Sequence, residues 1–119
     1  MSKTRIEKMH DFKIKLLEFV TELMALFEDK NKLVYKRLIY YHHVVANKIE
    51  EEDLYDIAID FLSKDFVRSL IKSHNKNFVK GTAVERDVDL VWESCSHQNR
   101  TAMWKWIATI VETIEPCLK

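Results

Sequence analysis

One glycine and one proline stand in a chain of 119 residues. Sheet proteins need turn residues at strand ends, and phosphate-cradling loops need several glycines close together. This scarcity excludes a dinucleotide-binding glycine loop and a P-loop. It favours helices joined by short polar loops. Cysteine is nearly as rare: Cys95 and Cys117 are too few for a disulfide scaffold and read as reduced thiols of a cytosolic-type compartment. An excess of either charge is missing too. Nineteen Lys and Arg balance nineteen Asp and Glu, which removes the strong basicity of a DNA-packaging protein. No apolar run approaches the ~20 residues that span a bilayer. The opening "MSKTRIEKMHDFK" lacks the apolar core of a signal peptide. The expectation is a soluble chain, not secreted by the classical route and without a membrane partner.

What the chain does have is apolar surface in helical register. Hydrophobic residues make up 47%, with six Phe, four Tyr and three Trp, enough for a packed core. Linkers, low-complexity tracts and internal repeats are absent, so one domain is expected. Phe12, Leu16, Phe19, Leu23 and Phe27 recur at spacings of four, three, four and four, which predicts a helix from about Thr4 to Glu28. Val34, Leu38, Tyr41 and Val45 predict a second from Leu33 to about Lys48, with Tyr40, His43 and Asn47 on its other face. "KLVYKRLIYYHHVV" is rich in β-branched and aromatic residues, so a small sheet is the alternative there. Asp53 is the expected N-cap of a third helix carrying Leu54, Ile57, Ala58 and Phe61 inward. A fourth is expected from Phe66 to about Lys76. The only Gly, in Lys80–Thr82, marks a loop. Val84, Val88, Val91, Trp92 and Cys95 face inward on a short helix, Ser96 caps the last one, and Pro116 stops it. The fold class is all-α: a compact single-domain bundle of five or six helices.

Catalytic and metal-binding patterns do not emerge. His10, His42, His43, His74 and His97 lack paired zinc-ligand spacing, and "CSH" at Cys95–His97 is the only Cys–His cluster. Cys95 falls on the apolar phase of its helix, as a small buried hydrophobe does. The acids from Glu50 to Asp60 fit a solvated helix start better than acid–base work. Neither a catalytic residue nor a cofactor nor a small-molecule substrate is nominated, and an enzyme is not expected.

Charge is segregated along the chain. Residues 1–48 carry ten Lys/Arg and six Asp/Glu, residues 50–60 six acids and no base, residues 64–80 five bases and one acid, and residues 81–119 four bases and six acids. Arg68, Lys72, Lys76 and Lys80 lie four apart, so a continuous helix would carry them as one row of cations. Such a row fits phosphate, an acidic protein surface, or solvent alone. Glu52, Asp56 and Asp60 form the matching acidic row, within the fold or on a neighbouring copy.

The tryptophans of "NRTAMWKWIATIVETI" suggest an aromatic–basic patch when read linearly. On a helical wheel the patch dissolves. Advancing about 100° per residue puts Met103, Trp104, Trp106, Ile107, Ile110, Val111 and Ile114 within about 160° of arc, and Lys105 opposite. Trp104 and Trp106 sit at the edges of this core stripe, where an exposed ring would serve as an interface anchor.

Two stretches, "FKIKLLEFVTELMALFEDKNKLVYK" and "VWESCSHQNRTAMWKWIATIVETI", resemble a family of small helical proteins of nucleocytoplasmic large DNA viruses, of iridovirus-like and marseillevirus-like lineages. The shared features are the F-x3-L-x2-F-x3-L-x3-F opening helix, its acidic–basic loop, and a Trp before an Asn–basic pair and a W-K-aromatic helix. They cover about two fifths of the chain and carry no known functional residues across. The resemblance implies a minor structural protein of the virion, located there or in the cytoplasm of the infected host cell. Its partners would be other virion proteins or copies of itself. The alternatives are a nucleic-acid-associated factor using the basic row and a host-directed adaptor that binds a host peptide helix.

Overall fold

The computed structural model describes residues 4–115. Pro116 and Cys117 therefore lie outside the described residues. Six α-helices follow one another: α1 (Arg5–Phe27), α2 (Lys32–His43), α3 (Glu51–Leu62), α4 (Asp65–Lys72), α5 (Glu85–Glu93) and α6 (His97–Ile114). A π-helical turn, Val44–Lys48, extends α2, and a 3₁₀ turn, Lys76–Val79, lies between α4 and α5. Among the described residues there is no strand, so the sheet alternative for residues 32–45 is replaced by helix. The radius of gyration, 14.2 Å, is close to the ~13.5 Å expected of a compact chain this long. No helix of the described residues is long and apolar enough to cross a membrane.

Side-chain caps fix where three helices start. Thr4, Asn31 and Ser96 each accept a hydrogen bond from the backbone N–H three residues on, at Glu7, Val34 and Asn99. Each bond satisfies a donor that the first turn leaves open. The cap of α3 differs from expectation. Glu50, not Asp53, holds the cap position and makes no side-chain bond there, while Glu51, Glu52 and Asp53 crowd the first turn. Three carboxylates against the positive end of the helix dipole do the work that a capping oxygen does elsewhere.

Two apolar cores form along α1. The first gathers Phe12 with Leu54, Tyr55 and Leu62 of α3, Val67 and Ile71 of α4, and Ile110 and Ile114 of α6. The second gathers Val20, Leu23 and Phe27 with Val34 and Leu38 of α2, Val91 of α5, Cys95 and Met103. Phe19 packs against both. The π turn carries the chain from one core to the other: Val34 and Leu38 belong to the second, Val45 to the first. Ile6, near the start of α1, stands exposed.

The fourth helix is shorter than its apolar pattern suggests. It ends at Lys72 because His74 turns into the left-handed region, at φ 56°. The His74 and Asn75 N–H groups then bond back to the carbonyls of Ile71 and Leu70. This is a Schellman closure, usually built on glycine. Asn75 at once caps the 3₁₀ turn through its side chain, which accepts from the Asn77 N–H at 2.9 Å.

Candidate functional site

The early end of α4 breaks up the predicted cationic row. Only Arg68 and Lys72 remain on one helix. Arg68 is ion-paired with Asp65 one turn earlier. Lys76 lies in the 3₁₀ turn, where its Nζ donates to Asp89 of α5 at 2.6 Å. Lys80 lies beyond that turn, exposed. A phosphate backbone would meet two cations here, not four in line.

The acidic row keeps its geometry. Glu52, Asp56 and Asp60 are all exposed on α3, one turn apart. It does not meet the basic row inside the fold. Asp56 instead accepts from Arg5 of α1 at 2.6 Å, and this bond holds the Arg5 guanidinium above its usual pKa. A second link between the same helices joins His10 Nδ1 and Glu51 Oε1 at 3.1 Å.

The tryptophans of α6 take different places. Trp104 is buried, with the His74 ring stacked on it at 5.0 Å and 5° and the Trp92 edge against it. That burial removes Trp104 as an exposed anchor. Trp106 is half-buried and stacks on Phe19. Lys105 is exposed between them in sequence but not in space. Trp104 and His74 help line a shallow groove of about 190 Å³ between α4 and α6. Arg68 and Lys72 of α4, Glu112 of α6 and Glu115 just past its end border it.

Compared with protein-family models, curated proteins and solved structures, the chain matches none.

A polar cluster between α2 and α5 is one that residue spacing does not reveal. Arg37 of α2 grips Asp87 of α5 with two parallel bonds, Nε to Oδ1 at 3.0 Å and Nη2 to Oδ2 at 2.8 Å. The Tyr41 hydroxyl donates to the same carboxylate. The Arg37 bonds hold the Asp87 carboxyl below the usual carboxylate range. Burial, and then the neighbouring carboxylate, push the Tyr41 hydroxyl up. The guanidinium lies 5.3 Å from the Tyr40 ring centre and 5.7 Å from that of Tyr41, and the two rings meet edge to face. Fork pairing and ring contacts together fix a long side chain that is otherwise mobile. Tyr41 had been legible as a core position through its ring. Its partner lies 46 residues away, beyond the reach of any periodicity.

This clasp holds the outward face of α2 in place. Along α2, Lys32, Leu33, Lys36, Ile39, Tyr40 and His43 are all exposed. Val34 and Leu38 are buried on the opposite side. Not one acid occurs in α2. The exposed face is therefore apolar at Leu33, Ile39 and Tyr40, and cationic around them.

The Cys95 thiol is buried. Its Sγ lies 3.5 Å from the Met103 sulfur, and burial pushes its pKa up, away from the reactive thiolate. Among the described residues, no three His, Cys, Asp or Glu side chains are grouped to hold a metal ion.

Proposed function

We propose that the protein is a non-enzymatic helical interaction module that docks protein partners through the outer face of α2. In setting, this reading takes it for a minor structural component of a large DNA virus particle. The observation that supports the docking face is an exposed Leu33–Tyr40 pair beside an arginine already locked in place by Asp87 and Tyr41. Tyrosine and arginine dominate binding hot spots, and a side chain ordered beforehand loses less entropy on contact. The viral setting rests on the resemblance of the first and last helices alone.

Quantitative mass spectrometry of purified particles tests both parts. The wild-type chain is expected in particles, and a Leu33→Ser/Tyr40→Ala variant is expected to be depleted by about tenfold, the effect of losing ~1.4 kcal/mol of contact. A chain abundant in infected cells but absent from particles would end the virion reading. Equal incorporation of the variant would end the assignment of the α2 face.

A further inference from the structure

The outer face of α3 is the charge complement of the outer face of α2. Taking about 100° per residue, Glu52, Asp53, Asp56, Ile57 and Asp60 occupy one arc of about 140°. All five are exposed, and Ile57, 62% exposed, is the one apolar member. Among the described residues, Glu52, Asp53 and Asp60 have no ion-pair partner, and neither do Lys32 and Lys36 of α2. Leu33 and Tyr40 are exposed at 58% and 53%. The α3 face thus sets Ile57 among acids, of which Asp56 is paired with Arg5, and the α2 face sets Leu33 and Tyr40 among cations, so the predominant signs are opposite. The lengths agree as well. Lys32 to Tyr40 and Glu52 to Asp60 each span about 12 Å of helix, with charges one turn apart in both.

From this match we infer that the α2 face docks the α3 face of a second copy of the same chain, head to tail. The inference rests on the docking reading of α2 and names its occupant. Zero formal net charge means that copies do not repel one another as a whole. The two faces differ, so the contact is heterologous and leaves one face of each kind free for further copies. Two 12-residue helix faces cover far less than the ~1,600 Å² of a standard interface. The assembly is therefore weak, concentration-dependent and sensitive to salt.

Sedimentation velocity of the purified full chain tests this. Association beyond a dimer is expected at low salt, weakening by about tenfold or more between ~0.05 M and ~0.5 M as the screening length shrinks. A Leu33→Ser/Lys36→Ser variant and an Asp53→Ser/Ile57→Ser variant should each be monomeric. Mixed together, they should form a one-to-one dimer that grows no further, since one intact face of each kind remains. The substituted residues are exposed, and thermal melts by circular dichroism check that each variant folds. The inference is overturned if the wild type stays monomeric at low salt, if either variant associates as the wild type does, or if the mixture fails to pair. A monomeric wild type whose Leu33→Ser/Tyr40→Ala variant is still lost from particles would keep α2 as a docking face and reject a second copy as its occupant.

Discussion

Around the first half of α1 the chain packs α3 and α4, and around the second half it packs α2 and α5. The two ends are held differently. The first relies on apolar bulk: Tyr55, Val67 and Ile114 are fully buried there, and Phe12 meets Tyr55 edge to face. Its cross-helix links Arg5–Asp56 and His10–Glu51 are exposed, whereas the second end has a smaller set of side chains and adds part-buried polar fasteners across helices. Asn31 donates to Ser94 at 3.2 Å, Arg37 and Tyr41 hold Asp87, and Arg100 donates to the Trp92 carbonyl at 3.0 Å while lying over its ring. The contrast teaches where charge is free. At the second end one cation of α2 is tied inward and the rest face out. At the first end Glu52, Asp53 and Asp60 of α3 face out, while Glu51 and Asp56 are paired with His10 and Arg5 of α1.

The contrast predicts unequal responses to substitution. Phe12→Ala, which hollows the apolar end, should cost about 3–5 kcal/mol in chemical denaturation, enough to unfold a marginal domain. Asp87→Asn, which loosens the polar end, should cost about 1 kcal/mol at neutral pH, low for a charged hydrogen bond because Arg37 still meets water. The second effect depends on pH and the first does not. The folded Asp87 carboxyl titrates below the free value of ~3.9, so its stabilisation is fully present above that value. It is lost as the pH falls through the lower folded value, below which wild type and Asp87→Asn should converge. A gap that persists there would show that the clasp acts through packing rather than charge.

A third effect, of about the same size as the second, lies where α4 closes the first end. His74 trades backbone strain for its stack on Trp104. His74→Ala keeps the left-handed strain and loses the ring, whereas His74→Gly loses the ring and relieves the strain. Denaturation should find the glycine variant about 1 kcal/mol more stable than the alanine variant. Equal stabilities would mean that the chain abandons the left-handed turn once the ring is gone.

Those substitutions also mark where sequence reasoning reached and where it stopped. The burial of Phe12, Leu23 and Phe27 followed from spacing, as did the inward Trp104 and outward Lys105. Periodicity reports which face of a helix is apolar, and a core needs little more. The end of α4 was not legible because neither glycine nor proline stands in "IKSHNKN". The stop is made by a histidine in a glycine's conformation, kept there by its stack on a tryptophan 30 positions away. Asn75, a residue that favours caps and turns, was the one local signal. The Arg37–Asp87 pair was invisible for a related reason: it exists only once α5 lies antiparallel along α2. The acidic row Glu52, Asp56 and Asp60 was legible, since it needs one continuous helix, but Ile57 beside it was expected inward and stands 62% exposed.

Phe19 touches both cores and stacks on Trp106. A side chain shared in this way makes the two ends thermodynamically one unit, because neither can open without exposing part of the other's lining. Amide exchange in the middle of α1 would then report a single global opening rather than two local ones. Whatever docks on one end is felt as added stability by the whole chain.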